Sequence, residues 1–378
     1  MENQFTEQFR EFLKSETDPT LRRLREEAFA HFLIEGFPSV KSEDWKYTNV
    51  APIAKETWAV APFSSDFSPG GEKSEQIVRG FDFRRNGFTA LNLAFAQFAV
   101  VVIPKETSVT EPVELSFAAD ENTVISPHVL VIAETGSKAV IVESYASPGK
   151  SFTNSVLQIV VGPEANLTHY RVQRESAEAF HIGTTDVSVG RGSLYNTTNI
   201  NLGGALSRHD IDLKFTAEGG EAFVDGLYML NGTQHADTHS VIDHLVPNCT
   251  SHQTYKGVLN DHSRGVFNGK VFVRENAHGT DAQQSNKNLL LSTHARVDTK
   301  PQLEIYNDDV KCSHGATVGQ LEEEELFYLL TRGLPQTLAK NLLTYGFAEE
   351  IINKIGIESI KMELDAAVLN RLNTNLEG

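Results

Sequence analysis

Cys312 and His314 stand two residues apart in KPQLEIYNDDVKCSHGATVG, residues 300–319. The segment reads as extended, and in a strand a spacing of two points both side chains the same way, together with Asp308 and Val310. A thiolate beside an imidazole is half of a soft-metal site, which usually takes four donors. The missing ligands must come from elsewhere. Cys249 is the sole other cysteine, so a cluster held by four cysteines cannot be assembled within one copy. A site shared across a subunit contact is the natural inference.

Other chemistries find less support. Eight of the 13 histidines fall between His235 and His314, yet no HExxH or HxH motif occurs among them. His235 and His239 share strand parity with Asp237, whereas His244 falls on the opposite face. Structural or surface roles are expected for His235, His239, His244, His252 and His262, and His278 and His294 carry no discriminating context. The surrounding segment reads as strands and polar turns, with Asn248, Asn260, Asn268 and Gly269 as turn formers and Cys249 as a small buried residue. The nearest approach to a phosphate-binding loop, Gly265 to Lys270 followed by Val271, fails on spacing and on its last residue. No GxSxG elbow occurs. ATP hydrolysis, if the protein depends on it, must come from a partner.

These residues need a frame. The chain has 378 residues, 40% of them apolar, enough for a large core in one elongated domain or two or three packed units. Its formal charge of -17 argues against nucleic-acid or anionic-membrane surfaces, and no run is long and apolar enough to span a bilayer. Two cysteines make no disulfide framework, and the charged N-terminus has no signal-peptide core, so a reducing cytoplasm is expected.

The first fifty residues read as largely helical, with Asp18 and Pro19 as cap and first-turn signals, Leu21, Leu24, Ala28 and Phe32 at helical spacing, and Gly36 and Pro38 as the stop. In SEDWKYTNV, Trp45 and Tyr47 alternate as in a short extended connector. From about Phe98 to Thr317 come short β-branched runs bounded by Gly, Pro, Asn or Asp. Several, such as VLVIA and VVVI, are apolar on both faces, which favours a β-helix over a sandwich. After Gly319 helices return: one opens on Glu322 to Glu325 and ends at Gly333, and Pro335 opens the next. Gly346 and Gly356 divide the remainder of the chain into short helices, the last covering IESIKMELDAAVLNRLN. Leu326, Phe327, Leu329 and Leu330 exceed one amphipathic stripe; core packing is the simpler expectation and partner docking the alternative.

Four segments, SEDWKYTN, THSVIDHLVPNCTSHQTYKGVLND, DAQQSNKNLLLS and KPQLEIYNDDVKCSHGATVGQLEEEELFYLLTRG, in this order resemble the SufB/SufD family of the Suf iron–sulfur cluster assembly system. The resemblance is densest from His239 to Gly333. It implies a mainly β protein, a right-handed parallel β-helix (residues 96–318) between an N-terminal helical or mixed domain (1–95) and a C-terminal helical domain (319–378). It also implies a non-catalytic scaffold subunit working with a SufB-like paralogue, met through the end of the β-helix. A SufC-like ABC-type ATPase docks on the C-terminal helices in this family, and its movement would be transmitted to that junction. The stretch matching LLLSTHARVDTKPQ carries a functional cysteine in SufB-type proteins and none here, which places the chain with the SufD branch. By the same resemblance His314, with Cys312 beside it as ligand or structural thiol, contributes to holding iron or a transient iron–sulfur cluster shared with the paralogue. Homodimers are expected where that partner is missing. The competing readings are a purely structural platform within the complex and a stand-alone β-helix metal- or carbohydrate-binding protein. The second is weakened by Trp45 and Trp58 both lying outside the β region.

Overall fold

The β-branched runs each form one strand, and a polar corner follows each, so the chain winds into a parallel β-solenoid of about 8 turns with helices at both ends. The computed structural model describes residues 4–61, 78 and 80–371. Residues 1–3, 62–77 and 79 of the expected N-terminal domain, and 372–378 of the expected C-terminal one, lie outside the described residues.

One sheet contains β1 (Ala59–Val60), β2 (Gln97–Ile103), β4 (Thr123–Ile125), β5 (Pro127–Ala133), β7 (Phe152–Val161), β9 (Phe180–Val189), β11 (Leu206–Phe215), β13 (His235–His244), β15 (Arg264–Val273) and β17 (Arg296–Ile305). The other contains β3 (Val113–Ala118), β6 (Lys138–Ala146), β8 (Asn166–Gln173), β10 (Leu194–Asn201), β12 (Glu221–Leu230), β14 (Thr250–Leu259), β16 (Thr280–Leu290) and β18 (Val310–Gly319). Consecutive coils stack in parallel register: Phe152, Phe180, Leu206, His235, Arg264 and Arg296 occupy one rung position in turn. Backbone hydrogen bonds hold that register whatever the side chain, which is why no repeat is visible in the sequence.

Three apolar clusters hold the coils. Val131, Ile159, Val187, Leu213 and Val271 fill the space between the two sheets. Phe9, Phe29, Phe32 and Phe95 of the N-terminal helices join Trp58 in covering Leu130, Ile132, Phe152 and Ile182 on the outside of the first sheet. Hence all seven residues of β5 are buried, as a strand apolar on both faces requires. Ile351, Ile352, Ile355, Leu364 and Val368 of the C-terminal helices cover Val142, Val172, Ile200 and Val258 on the outside of the second sheet.

Asp18 caps the helix Pro19–Glu35 by accepting from the Thr20 and Leu21 amides at 2.7 and 3.1 Å, and Gly36 ends it at φ 62°. Five expectations need correction. Glu43–Trp45 is a 3-10 turn rather than an extended segment; it turns the Trp45 ring onto the Arg208 guanidinium, 3.8 Å from the ring centre. Asp308 lies in the corner before β18, so it does not share the face of Cys312 and His314. Asn268 and Gly269 are inside β15, not in a turn. Gly346 does not divide the helix Gln336–Ile352: the roughly 1 kcal/mol preference for Ala over Gly is outweighed by burial of Ala348, Ile351 and Ile352. The helix Glu323–Thr331 buries none of its residues, and Phe327 and Tyr328 are 66% and 57% exposed, so core packing does not account for its apolar surplus.

Candidate functional site

Among the described residues β18 pairs with β16 on one side and with no other strand, and β17 likewise ends its sheet. Cys312 and His314 therefore sit on an edge strand of the last coil. Cys312 is half-buried and, with Val310, packs against the interior core, made possible by its small neighbour in register, Ala282. Burial pushes its thiol up from its ordinary pKa, which works against a thiolate. His314 shares the parity of Cys312 but is exposed, because no further coil covers it. Among the described residues no group of three or more His, Cys, Asp or Glu side chains is placed to hold a metal ion. The pair offers one thiol and one imidazole on one face.

Directly beneath lies a polar layer that sequence reasoning missed. Gln284, Asn286 and Asn288 alternate on the inner face of β16 and are all buried. Gln284 Nε2 donates to Gln253 Oε1 at 2.8 Å, and Gln253 Nε2 donates to Ser240 Oγ at 2.9 Å. Asn288 Nδ2 donates to Asn286 Oδ1 at 2.7 Å, and Tyr228 donates its hydroxyl proton to Asn288. The sequence signal was the strict alternation in DAQQSNKNL, polar at inward positions where an aliphatic was expected.

Farther along the interior, Glu143 lies 3.1 Å from His169, and Glu175 lies 2.8 Å from His181, which also meets Arg171 at 2.5 Å. Burial alone would raise both carboxyls, but His169 and Arg171 around Glu143, and His181 beside Glu175, hold them low. These groups satisfy one another and leave no open coordination.

Five of the other sequence-flagged histidines, His235, His239, His244, His262 and His294, have structural partners. On the outer face of β13, the Thr48 hydroxyl lies 2.9 Å from His235 Nε2 and donates to Asp237 Oδ2 at 2.5 Å, while His239 Nε2 stands 3.1 Å from Asp237 Oδ1. Arg208 donates to Asp210, to Asp237 at 3.0 Å and to the Asp44 carbonyl at 2.6 Å. Although desolvation opposes it, Arg208 holds the Asp237 carboxyl far below the usual carboxylate range. SEDWKYTN is thereby fastened to the solenoid, beside a cleft of about 460 Å³ lined by Arg208, Asp212, His239 and Lys270. His244 faces inward, its ring tilted against that of Phe215 with centres 4.6 Å apart, and lies 2.8 Å from Ser251 Oγ. His262 and His294, exposed on successive corners, stack on each other at 4.6 Å. Their pairing follows from the Arg264–Arg296 register, which no local pattern discloses.

Residues 116–347 match the SufBD core domain of SUF system FeS cluster assembly, and residues 2–68 match the SufBD protein N-terminal region. The chain belongs to the SufBD family. An iron–sulfur cluster assembly SufBD family protein of Synechocystis sp. is 39% identical over 311 residues, covering 78% of this chain and 69% of that protein. Iron–sulfur cluster assembly protein SufD of Escherichia coli is 36% identical over 253 residues, 66% of this chain and 60% of that one. A SufBD family protein of Mycobacterium bovis is 30% identical over 372 residues, 92% of each chain. The core-domain match takes in β16 and β18 and so includes Cys312, His314 and the polar layer below them. No helix among the described residues is long and apolar enough to cross a membrane.

Proposed function

We propose that this SufBD family member is a SufD-type component of an iron–sulfur cluster assembly complex, and that it lends His314 to a metal-handling site completed by a SufB-like paralogue. The observation that carries the reading is the position of His314: an exposed imidazole on an edge strand, next to one half-buried thiol and, among the described residues, to no third donor. A paralogue that adds its own strands to β17 and β18 would bring thiolates to that face. Iron or the nascent cluster is cargo here, and a single imidazole, a weaker donor than thiolate, suits a site that must release what it holds. Cys312 is a secondary candidate, since its packing and raised thiol favour the neutral form. Homodimerisation through the same edges is the expected state of the chain by itself.

The chain acts as a scaffold and not as an enzyme, with ATP hydrolysis supplied by a SufC-like ATPase. Phe327, Tyr328 and Leu330, exposed on a helix that buries nothing, provide an apolar docking surface for it. A reducing compartment such as the cytoplasm fits two unpaired cysteines.

His314→Ala tests the reading in the reconstituted complex. The complex should assemble with unchanged stoichiometry while iron content and cluster absorbance fall. Undiminished cluster yield would remove His314 from the site and leave the chain as a platform for its partners.

A further inference from the structure

We infer that Gln284 is a positioning residue for His314: its carboxamide oxygen accepts the proton of one ring nitrogen and so leaves the other nitrogen bare and outward for metal. This rests on the role proposed above for His314. Three observations converge. Gln284 and His314 are partners in the β16–β18 register, and side chains of the same parity on adjacent strands stand about 5 Å apart at their roots, within reach of a hydrogen bond between two long polar groups. Gln284 Oε1 is buried without a hydrogen-bond partner among the described residues, an arrangement that costs free energy unless something supplies a donor. Finally, Nε2 of the same amide is committed to Gln253 Oε1 at 2.8 Å, which fixes the direction of the group so that the oxygen is the free end.

The opposite sheet is shaped around this amide. A Cβ on Gly269 would collide with Gln284 Nε2, lie 2.8 Å from Gln284 Cδ and 2.9 Å from Phe267 Cζ. Gly269 has ordinary strand geometry in β15, with no positive φ, so the space it leaves, and not its backbone freedom, is what the position requires. Gly269, Gln284, Gln253 and Ser240 together form a buried polar support that ends one strand short of the edge. A neutral imidazole offers metal a lone pair on one nitrogen, and the hydrogen bond made by the other decides which nitrogen that is. With the His314 ring turned onto Gln284 Oε1, the ligating nitrogen points away from the solenoid, toward the side where further donors must arrive.

The test uses the full-length chain, labelled with nitrogen-15 at histidine and observed at alkaline pH, with His314→Ala to assign the signal. The unmodified chain should show His314 in one dominant tautomer. Gln284→Met, which removes the acceptor, and Gly269→Ala, which displaces the amide, should each move it to the tautomer mixture of exposed His278. In the reconstituted complex Gln284→Met should lower cluster formation about tenfold, with no further loss when combined with His314→Ala. A mixed tautomer in the unmodified chain, an unaltered His314 signal in Gln284→Met, or losses that add in the double variant would overturn the inference. Silence of His314→Ala in the cluster assay would instead withdraw the proposed function, and the tautomer measurement would still decide the pairing.

Discussion

Two polar regions of the same solenoid, a few coils apart, are finished in opposite ways. At the seam where SEDWKYTN meets β11 and β13, Arg208 is buried between Asp210 and Asp237, stacked on Trp45 and bonded to the Asp44 carbonyl. At the last coil, Gln284 Oε1, Thr299 Oγ1 and Gln302 Oε1 are buried without partners among the described residues, and Ile305, Tyr306 and Val318 are 42%, 55% and 49% exposed. The first region spends a whole N-terminal segment on neutralising its charges. The second leaves two strand edges and several polar atoms unmatched, a state that isolated proteins avoid. The contrast teaches that the seam is closed by a segment of the chain itself, whereas the last coil presents two strand edges that no described residue covers.

The largest expected effect breaks the seam. Arg208→Met leaves Asp237 and Asp210 buried without their cation and should cost about 3–5 kcal/mol, read as a lower urea midpoint, whereas His314→Ala should leave the midpoint in place. Equal losses from the two variants would erase the distinction between the regions. Acid should act next, on the closed interior. His128 and His244, both buried, are pushed down to about 4, chiefly by desolvation. Their folded pKa values lie below the unfolded value near 6.5, so below that pH the unfolded chain binds more protons and stability falls. The loss should begin as pH drops through about 6.5 and level off near 4 for these two groups. Urea midpoints across that range check it, and a His128→Gln, His244→Gln double variant with an undiminished slope would refute the assignment.

At the open surfaces, substitutions should change association without changing the fold. Phe327→Glu should abolish co-purification with the ATPase while altering stability by less than about 0.5 kcal/mol; retained binding would place the docking surface elsewhere. The smallest effect belongs to His262→Ala, which removes an exposed ring stacked on His294 and should leave both the melting temperature and complex formation unaltered.

Much of this architecture could be read from residue types. The β-branched runs, the cap at Asp18, the stop at Gly36 and the common face of Cys312 and His314 all follow from local periodicity and sterics. The features that could not be read depend on register between strands separated by an entire coil. The Glu143–His169 and Glu175–His181 contacts, the stacking of His262 on His294 and the alignment of Gln284 with His314 arise only once the coils are stacked. Asn268 and Gly269 misled because their composition signals a turn, while Asn268 lines the outer cleft and Gly269 leaves room for Gln284 of the opposite sheet. Trp45 misled for a related reason: its conformation is set by a guanidinium 163 positions away in the chain, Arg208.

The C-terminal helices carry a mechanical consequence. Lys256 Nζ donates to the Phe347 carbonyl at 3.0 Å, Lys354 pairs with Asp225 at 2.7 Å, and the Gly356 amide donates to the Tyr170 hydroxyl at 2.8 Å. These anchors lie on β14, β12 and β8, so the helical tail is tied across several rungs like a splint. A tug on the exposed helix Glu323–Thr331 would then be shared as shear along the flank of the coil stack and not concentrated at the single corner where that helix begins.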